Sequence, residues 1–346
     1  MIRCYAIALV GLFMFSFTGC ASRVLIYEKA DEVLKNDEYD KKVQVKQVDP
    51  PAAPIVEEIP VTPKPDEIKK SGTKAEKPKK KEVPKVTKKG PRQPEIEDSV
   101  GFEGRRPIKD PFRVGEKVTL DISYFNIVAG TMDIMVKPMV EVNGQKAYHF
   151  EVHAETSSVF NRLVYAVNDT ATTYVSYDEM IPLNLSITLK ESKQLAEART
   201  FVDWKTNKAS YWQKRVTKEK GEESKKIDWQ VLPYSQNVIS AVYYLRTFNY
   251  REDKPLAFRV ADEGKNIIFS GEFVRKERIL TDIGEFDTVV MRPKISVDGA
   301  FSPVGDILFW LTDDDRRFIV RIESKIKIGT LVAKIKNIEK GNEAPP

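Results

Sequence analysis

Val118-Thr119-Leu120-Asp121-Ile122-Ser123-Tyr124 alternates apolar and polar residues without a break. Successive side chains of an extended chain point to opposite faces, so a period of two reads as a strand buried on one side and wet on the other. Val128-Ala129-Gly130 follows, and Met132, Ile134 and Val136 repeat the alternation. Val140 and Val142 lead into Asn143-Gly144, the dipeptide best suited to a two-residue hairpin turn. Beyond it Tyr148, Phe150 and Val152 share one face, with His149, Glu151, His153 and Glu155 on the other. Three antiparallel strands follow from this stretch alone.

The pattern continues towards the C-terminus. Leu183, Leu185, Ile187 and Leu189 form a strand after Pro182, a residue tolerated at a strand's start. Phe201 to Trp204 and Tyr211 to Val216 read as a pair joined through Thr206-Asn207, and Lys218 to Lys226 as a charged loop. Further strands are expected at Leu256 to Val260, Ile267 to Phe273, Val289 to Ile295, Ile307 to Leu311, Phe318 to Ile322 and Thr330 to Ile338, with turns at Gly284 and Asp313-Asp314-Asp315. Ile307 to Leu311 is apolar on both faces, as a strand covered on both sides would be. Two helices interrupt the series: Ser235 to Phe248, with Ser235 as N-cap, and the shorter Thr156 to Val164. The expected fold is mainly β, with roughly ten to thirteen strands in a large antiparallel sheet curled into an open or closed barrel, and one or two short helices packed across it.

Upstream the composition changes. Arg3 and the apolar run from Ile7 to Phe17 have the layout of a secretory signal, too short and wrongly flanked for a membrane span. Phe17-Thr18-Gly19-Cys20 resembles the lipobox of bacterial lipoproteins, with Phe17 where Leu is usual. That resemblance implies cleavage between Gly19 and Cys20 and acylation of Cys20, palmitate included. Ala21 and Ser22 follow, with no Asp, which by the same resemblance favours the inner leaflet of the outer membrane, facing the periplasm. Cys4 and Cys20 are the two cysteines of the chain, so the processed protein has no thiol left for a disulfide.

The expected organisation is a signal peptide over residues 1–19, a membrane-proximal segment with a brief helix over 20–43, a Pro/Lys-rich disordered tether over 44–110, the β domain over 111–340 and a tail over 341–346. The tether would span roughly 50 Å as a coil and on the order of 200 Å extended. From Pro63 to Arg92 twelve Lys and Arg face four Asp and Glu, a net +8 against +5 for the whole chain, so everything else sums to −3 and the basic balance belongs to this one segment. Lys79, Lys80, Lys81, Lys88 and Lys89 either solvate a spacer or meet an anionic envelope surface, such as acidic headgroups or cell-wall polymers. Nucleic acid is not an expected partner of an exported chain.

Five stretches of the folded part, Val114 to Thr119, Ser123 to Gly130, Val140 to Gly144, Val238 to Arg246 and Leu311 to Arg317, resemble an uncharacterised bacterial family, domain of unknown function 3108. The resemblance covers about Pro111 to Glu339. It implies an exported, β-barrel-like fold and no established activity. The general shape is similar to the Lol lipoprotein carriers, which suggests a lipid-like ligand by analogy.

Catalytic signatures are missing: there is no Gly-x-Ser-x-Gly elbow, no phosphate-binding glycine loop and no spare cysteine. His149 and His153 flank Glu151 on one strand face, a pattern that suits zinc and arises equally on a solvated face, which is the preferred reading. Asp313, Asp314 and Asp315 lack the ligand spacing of a calcium loop and read as an acidic turn. No metal or cofactor is expected. Tyr124, Phe125, Tyr243, Tyr244, Phe309 and Trp310 are the aromatics to test as the lining of a ligand cavity between helix and sheet. The expected function is a non-catalytic, lipid-anchored envelope protein that binds an apolar or amphiphilic ligand or a partner. A structural or interaction protein is the second reading and a hydrolase of envelope polymers the third.

Overall fold

A computed structural model describes residues 25, 27, 30–48, 97, 101–297, 300–302, 306–325 and 329–342. The strands in chain order are β1 Val45–Gln47, β2 Phe102–Glu103, β3 Arg106–Pro107, β4 Glu116–Tyr124, β5 Ile127–Val142, β6 Gln145–Thr156, β7 Val167–Ser176, β8 Asn184–Glu191 and β9 Gln194–Asp203. They continue with β10 Lys208–Thr217, β11 Gly221–Gln230, β12 Leu256–Asp262, β13 Lys265–Thr281, β14 Gly284–Val297, β15 Ala300–Ser302, β16 Asp306–Thr312, β17 Ile319–Lys325 and β18 Thr330–Lys340. Short helices are α1 Ala30–Leu34, α2 Asp37–Lys42 and α3 Ser158–Leu163, and the longer α4 spans Val238–Leu245.

Sixteen strands form one antiparallel sheet in the order β11-β10-β9-β8-β7-β6-β5-β4-β18-β17-β16-β14-β13-β12, with β1 added to β5 and β15 to β14. From β4 to β11 neighbours in sequence are neighbours in space, so turns alternate between two ends of the sheet. The edges β11 and β12 do not pair. The chain between them bridges the seam: Gln236 N–H donates to Arg259 O, and Ala261 N–H donates to Gln236 O, both at 2.8 Å. Asn266 Nδ2 donates to Gln230 O at 3.0 Å. The expected barrel is therefore open.

Helix α4 fills the concave side against β6, β7 and β12. Its N-cap is Asn237, whose side chain accepts from Ser240 N–H at 2.8 Å while Ser240 Oγ accepts from Asn237 N–H at 2.9 Å. Ser235, the expected cap, instead donates from Oγ to Leu232 O at 2.8 Å. Phe112, Leu120, Phe150, Tyr243, Phe258, Val290 and Leu311 belong to the core around this helix.

Three expectations are corrected. Lys218 to Lys226 is not a loop: Gly221–Gln230 is edge strand β11, paired with β10 along its whole length. Its run of charges solvates both faces of an edge, so no apolar alternation announces it. Strand β7 is legible only afterwards, because Thr170, Thr172 and Thr173 carry its pattern instead of large apolar residues.

The third correction concerns the expected boundaries. Within 20–43, Tyr39 packs edge-on to Trp212 at 6.2 Å, and Val33 is buried with Leu195 and Val216 on the outer face of β9 and β10. Within 44–110, Val45 pairs with Val142, and the buried Glu97 binds Arg105 at 2.8 Å. Both ends of the Pro/Lys-rich segment thus belong to the folded body. Cys20 and Lys79, Lys80, Lys81, Lys88 and Lys89 lie outside the described residues.

Candidate functional site

The register of β8 to β10 places Leu189 opposite Ala196, Ile187 opposite Ala198, and Leu185 opposite Thr200; Thr200 and Ala198 then face Tyr211 and Gln213. Strand parity puts all of these side chains on the concave face. The main core reaches Leu185 and Ile187 and leaves Leu189, Ala196 and Ala198 to a separate crevice. The opposing wall is the β12–β13 turn, with Asp262 and Glu263. Glu263 at φ 42° and Gly264 at φ 86° give this turn its two left-handed residues. Tyr211 Oη donates to Glu263 Oε1 at 3.1 Å and closes the crevice. About 10 Å³ is open inside, about the room for one water.

Charged groups stand at the end of this face. Asp169 lies opposite Leu189, and Glu191 follows Leu189 by two residues, so both carboxyls turn inward. They are 4% and 2% exposed and hydrogen-bond to each other. Burial, and then the neighbouring Glu191 charge, pushes Asp169 up to about 8, so it carries a proton at neutral pH. Burial raises Glu191 as well. Glu191 Oε2 accepts from Tyr165 Oη at 2.6 Å and Gln194 Nε2 at 2.8 Å. Arg215, opposite Ala196, acts electrostatically on Glu191. Its buried Nε has no hydrogen-bond partner among the described residues. Desolvation pushes Asp262, in the far wall, up to about 7. The result is a narrow apolar slot with an unsatisfied cationic donor at one end.

The six aromatics singled out in the sequence do not meet there. Tyr243 and Tyr244 are core residues of α4. The Tyr243 hydroxyl lies 2.8 Å from the Met135 and Glu151 carbonyls, and its ring stacks on Phe150 at 4.0 Å. Tyr244 Oη donates to Glu97 Oε1 at 2.9 Å. Trp310, buried in the main core cluster, lies between the Arg275 and Arg321 guanidiniums at 5.9 and 5.1 Å, with its Nε1 on Glu277. Phe309 is half-buried beside it in the chain. Tyr124 and Phe125 sit at the β4–β5 turn with ring centres 4.4 Å apart.

His149 and His153 lie on the outer face of β6. His149 Nε2 is 3.9 Å from Glu151, His153 Nε2 is 3.8 Å from Glu155, and His153 Nδ1 is 3.1 Å from Thr170 Oγ1. Burial holds His149 below the usual imidazole range. Among the described residues no three His, Cys, Asp or Glu are grouped to hold a metal. Asp314 Oδ1 accepts from the Arg316 and Arg317 N–H groups at 2.9 and 2.8 Å, while Asp313 binds Lys276 and Asp315 binds Lys109. These three acids form a turn and its ion pairs.

Sequence reasoning missed the buried charges. Glu116 is held by Arg246 and Arg316, which joins three of the stretches that carried the family resemblance. Strand parity was the available signal: Glu116 shares a face with Val118 and Leu120, Asp169 with Ala171, and Glu191 with Leu189.

No curated protein matches the chain in sequence. Among solved structures, a β-barrel-like protein of domain of unknown function DUF1849 from Brucella abortus is similar at 10% identity and a TM-score of 0.40, over 66% of this chain and 98% of that one. A protein assigned as exported, with a YmcC-like fold, from Bacteroides fragilis is similar at 11% identity and a TM-score of 0.28, over 66% and 97%. A protein assigned as a lipoprotein from Parabacteroides distasonis is similar at 11% and 0.26, over 67% and 99%. The family described as protein of unknown function (DUF3108) matches residues 117–336, and the chain belongs to that family.

Proposed function

We propose that this is a non-enzymatic protein of the cell envelope, anchored through Cys20 at the inner leaflet of the outer membrane, whose β domain takes the apolar chain of an anionic amphiphile. The anchor rests on Phe17-Thr18-Gly19-Cys20. The ligand class rests on one observation: the apolar slot of Leu189, Ala196 and Ala198 ends near the unpartnered Nε of Arg215. An alkyl chain needs more room than one water, so uptake requires the β12–β13 turn to lift. That costs the Tyr211–Glu263 hydrogen bond, about 1 kcal/mol net, together with the 3.9 Å ion pair between Glu263 and Lys225.

The test is native mass spectrometry of the full processed chain after mild extraction, with titration of a fluorescent long-chain fatty acid. Saturable uptake that weakens tenfold or more in Ala198→Trp and in Arg215→Ala supports the reading. A clean apo mass with no uptake removes the ligand and leaves the anchor, which Cys20→Ser tests separately by release to the soluble fraction.

A second reading, an interaction protein, draws on the segment that contains Lys79, Lys80, Lys81, Lys88 and Lys89. The described residues on its two sides are β1, beside the β5–β6 turn, and Glu97, bonded to Tyr244. These lysines would contact an anionic cell-wall polymer, and salt-sensitive binding of the full chain to such a polymer is its test.

A further inference from the structure

We infer that the end of the sheet bearing the β4–β5 turn lies against the lipid bilayer, with Phe125, Ile127, Val128 and Val159 immersed in its interfacial layer. The inference rests on acylation of Cys20 and adds an orientation to it.

The first observation is where the chain joins the domain. Leu25 N–H donates to Glu191 O, at the last residue of β8, with a 2.8 Å bond. Leu25, Tyr27 and Ala30 pack around buried Val33, Leu195 and Val216. The alternating turns of the meander put the β8–β9 turn, the β10–β11 turn, helix α3, the β4–β5 turn and the start of β18 at one end of the sheet. The docked chain therefore begins at that end. Only four residues, 21–24, lie between Cys20 and Leu25, five residue steps with a reach of about 17 Å. Strand β5 alone has 16 residues and runs roughly 50 Å. The opposite end cannot approach the anchor while Leu25 stays in place.

The second observation is what that end presents. Phe125 is 64% exposed, Ile127 64%, Val128 46% and Val159 66%. The Ser157 N–H bond to Ala129 O, 2.8 Å, ties the start of α3 to β5 and holds Val159 at the same end. Phe125 and Asn126 form the turn at φ 49° and 61°. Asn tolerates this left-handed conformation, whereas a bulky Phe there costs about 1 kcal/mol. The ring packs on Tyr124 at 4.4 Å and is otherwise largely exposed, and a wet apolar cluster of this kind marks an interaction surface. A bilayer held within about 17 Å is the partner that the anchor supplies.

Charge at this end is mixed: exposed Lys190, Lys218 and Lys220 stand with exposed Glu155, Glu219 and Glu222. Apolar contact would carry the docking, so raised salt should leave it intact. Strand β1, after which the Pro/Lys-rich segment begins, pairs with β5 beside the β5–β6 turn at the far end of the sheet.

The full acylated chain has no free thiol once the signal is removed, so one introduced cysteine reports one position. Ile127→Cys, Val159→Cys and, at the far end, Leu280→Cys (Leu280 is 80% exposed) are each labelled with an environment-sensitive dye in phosphatidylethanolamine–phosphatidylglycerol vesicles carrying nitroxide lipid. Quenching at 127 and 159 at least threefold above that at 280, unchanged in high salt, is the expected result. Equal quenching at all three sites, in protein that floats with the vesicles, overturns the orientation and leaves the anchor standing. Failure of the acylated chain to float removes the anchor and the orientation together.

Discussion

Arg246 grips Glu116 with both arms of its guanidinium, Nη1 to Oε1 at 2.5 Å and Nη2 to Oε2 at 3.2 Å, where the two side chains are 2% and 0% exposed. Arg316 closes the other side at 2.6 Å, and the Phe112 and Phe318 rings lie 5.2 and 5.3 Å from the Arg246 guanidinium. The first core strand, the last turn of α4 and the β16–β17 turn meet at this one carboxylate. Removing a partner strands a buried charge, which costs about 3–5 kcal/mol. Arg246→Ala should lose about 3 kcal/mol in urea unfolding, and Arg316→Ala less, because Arg316 is 20% exposed. Glu116→Gln should fall between them. A loss below about 1 kcal/mol for Arg246→Ala would contradict the role given to this cluster.

Asp169 predicts a pH dependence. Its ordinary value of 3.8 rises to about 8 in the fold, so the folded state keeps a proton that the unfolded chain releases. Its contribution is complete below about pH 4 and is lost as pH rises towards 8. Glu197 and Asp262, both pushed up to about 7 chiefly by burial, act in the same direction. Thermal melts should show higher stability at pH 5 than at pH 8, and Asp169→Asn should recover on the order of 2 kcal/mol of that difference. A slope unchanged in the variant would assign the effect elsewhere.

Gly130 sits where β5 meets the end of β6. A Cβ there would lie 2.1 Å from Glu155 O and 2.8 Å from Thr156 Cα, so the two backbones would have to part. Gly130→Ala should cost about 3 kcal/mol. Gly144→Ala, with φ +82° and no neighbour within 4 Å, should cost only about 1 kcal/mol. Denaturant midpoints measured side by side check the ranking.

Residues 25–48 should prove part of the domain. A chain beginning at residue 100 uncovers Leu195, Val216 and Trp212, now 3%, 4% and 7% exposed. Re-exposing three such side chains is worth about 4 kcal/mol, or roughly 10 °C in Tm for a domain of this size. Calorimetry, together with increased binding of a hydrophobic dye, measures it. An unchanged melt would mean that the segment merely rests on the sheet.

Alternation makes most of the sheet legible in the sequence. Leu185-Ser186-Ile187-Thr188-Leu189 and Tyr148 to Val152 lie on the faces that their parity implies, and Asn143-Gly144 makes the β5–β6 turn at φ 51° and 82°. Patterning failed where apolar content was low. Half of strand β11 is charged, β7 is rich in Thr, and residues 30–48 carry too few apolar side chains to declare a docking face. The site was less legible than the fold. Aromatic content drew attention to Tyr243 and Trp310, but core packing and a two-arginine sandwich account for them, whereas Ala196, Ala198 and Arg215 looked unremarkable in the chain.

Sequence by itself determined the class of fold, the positions of many strands and turns, the face that each residue of an alternating strand would take, and the confinement of the excess positive charge to one Pro/Lys-rich segment. These are local properties, set by a period of two and by the turn chemistry of a few residues. Only the tertiary structure decided what covers each face. Periodicity says that Leu195 and Val216 must be buried but not that Val33 buries them, and it does not bring Val45 to Val142 or Leu25 to Glu191. Such contacts join residues far apart in the chain, so their partners are chosen by the closure of the whole sheet. That choice makes the N-terminal segment part of the domain and places it near the apolar turn end.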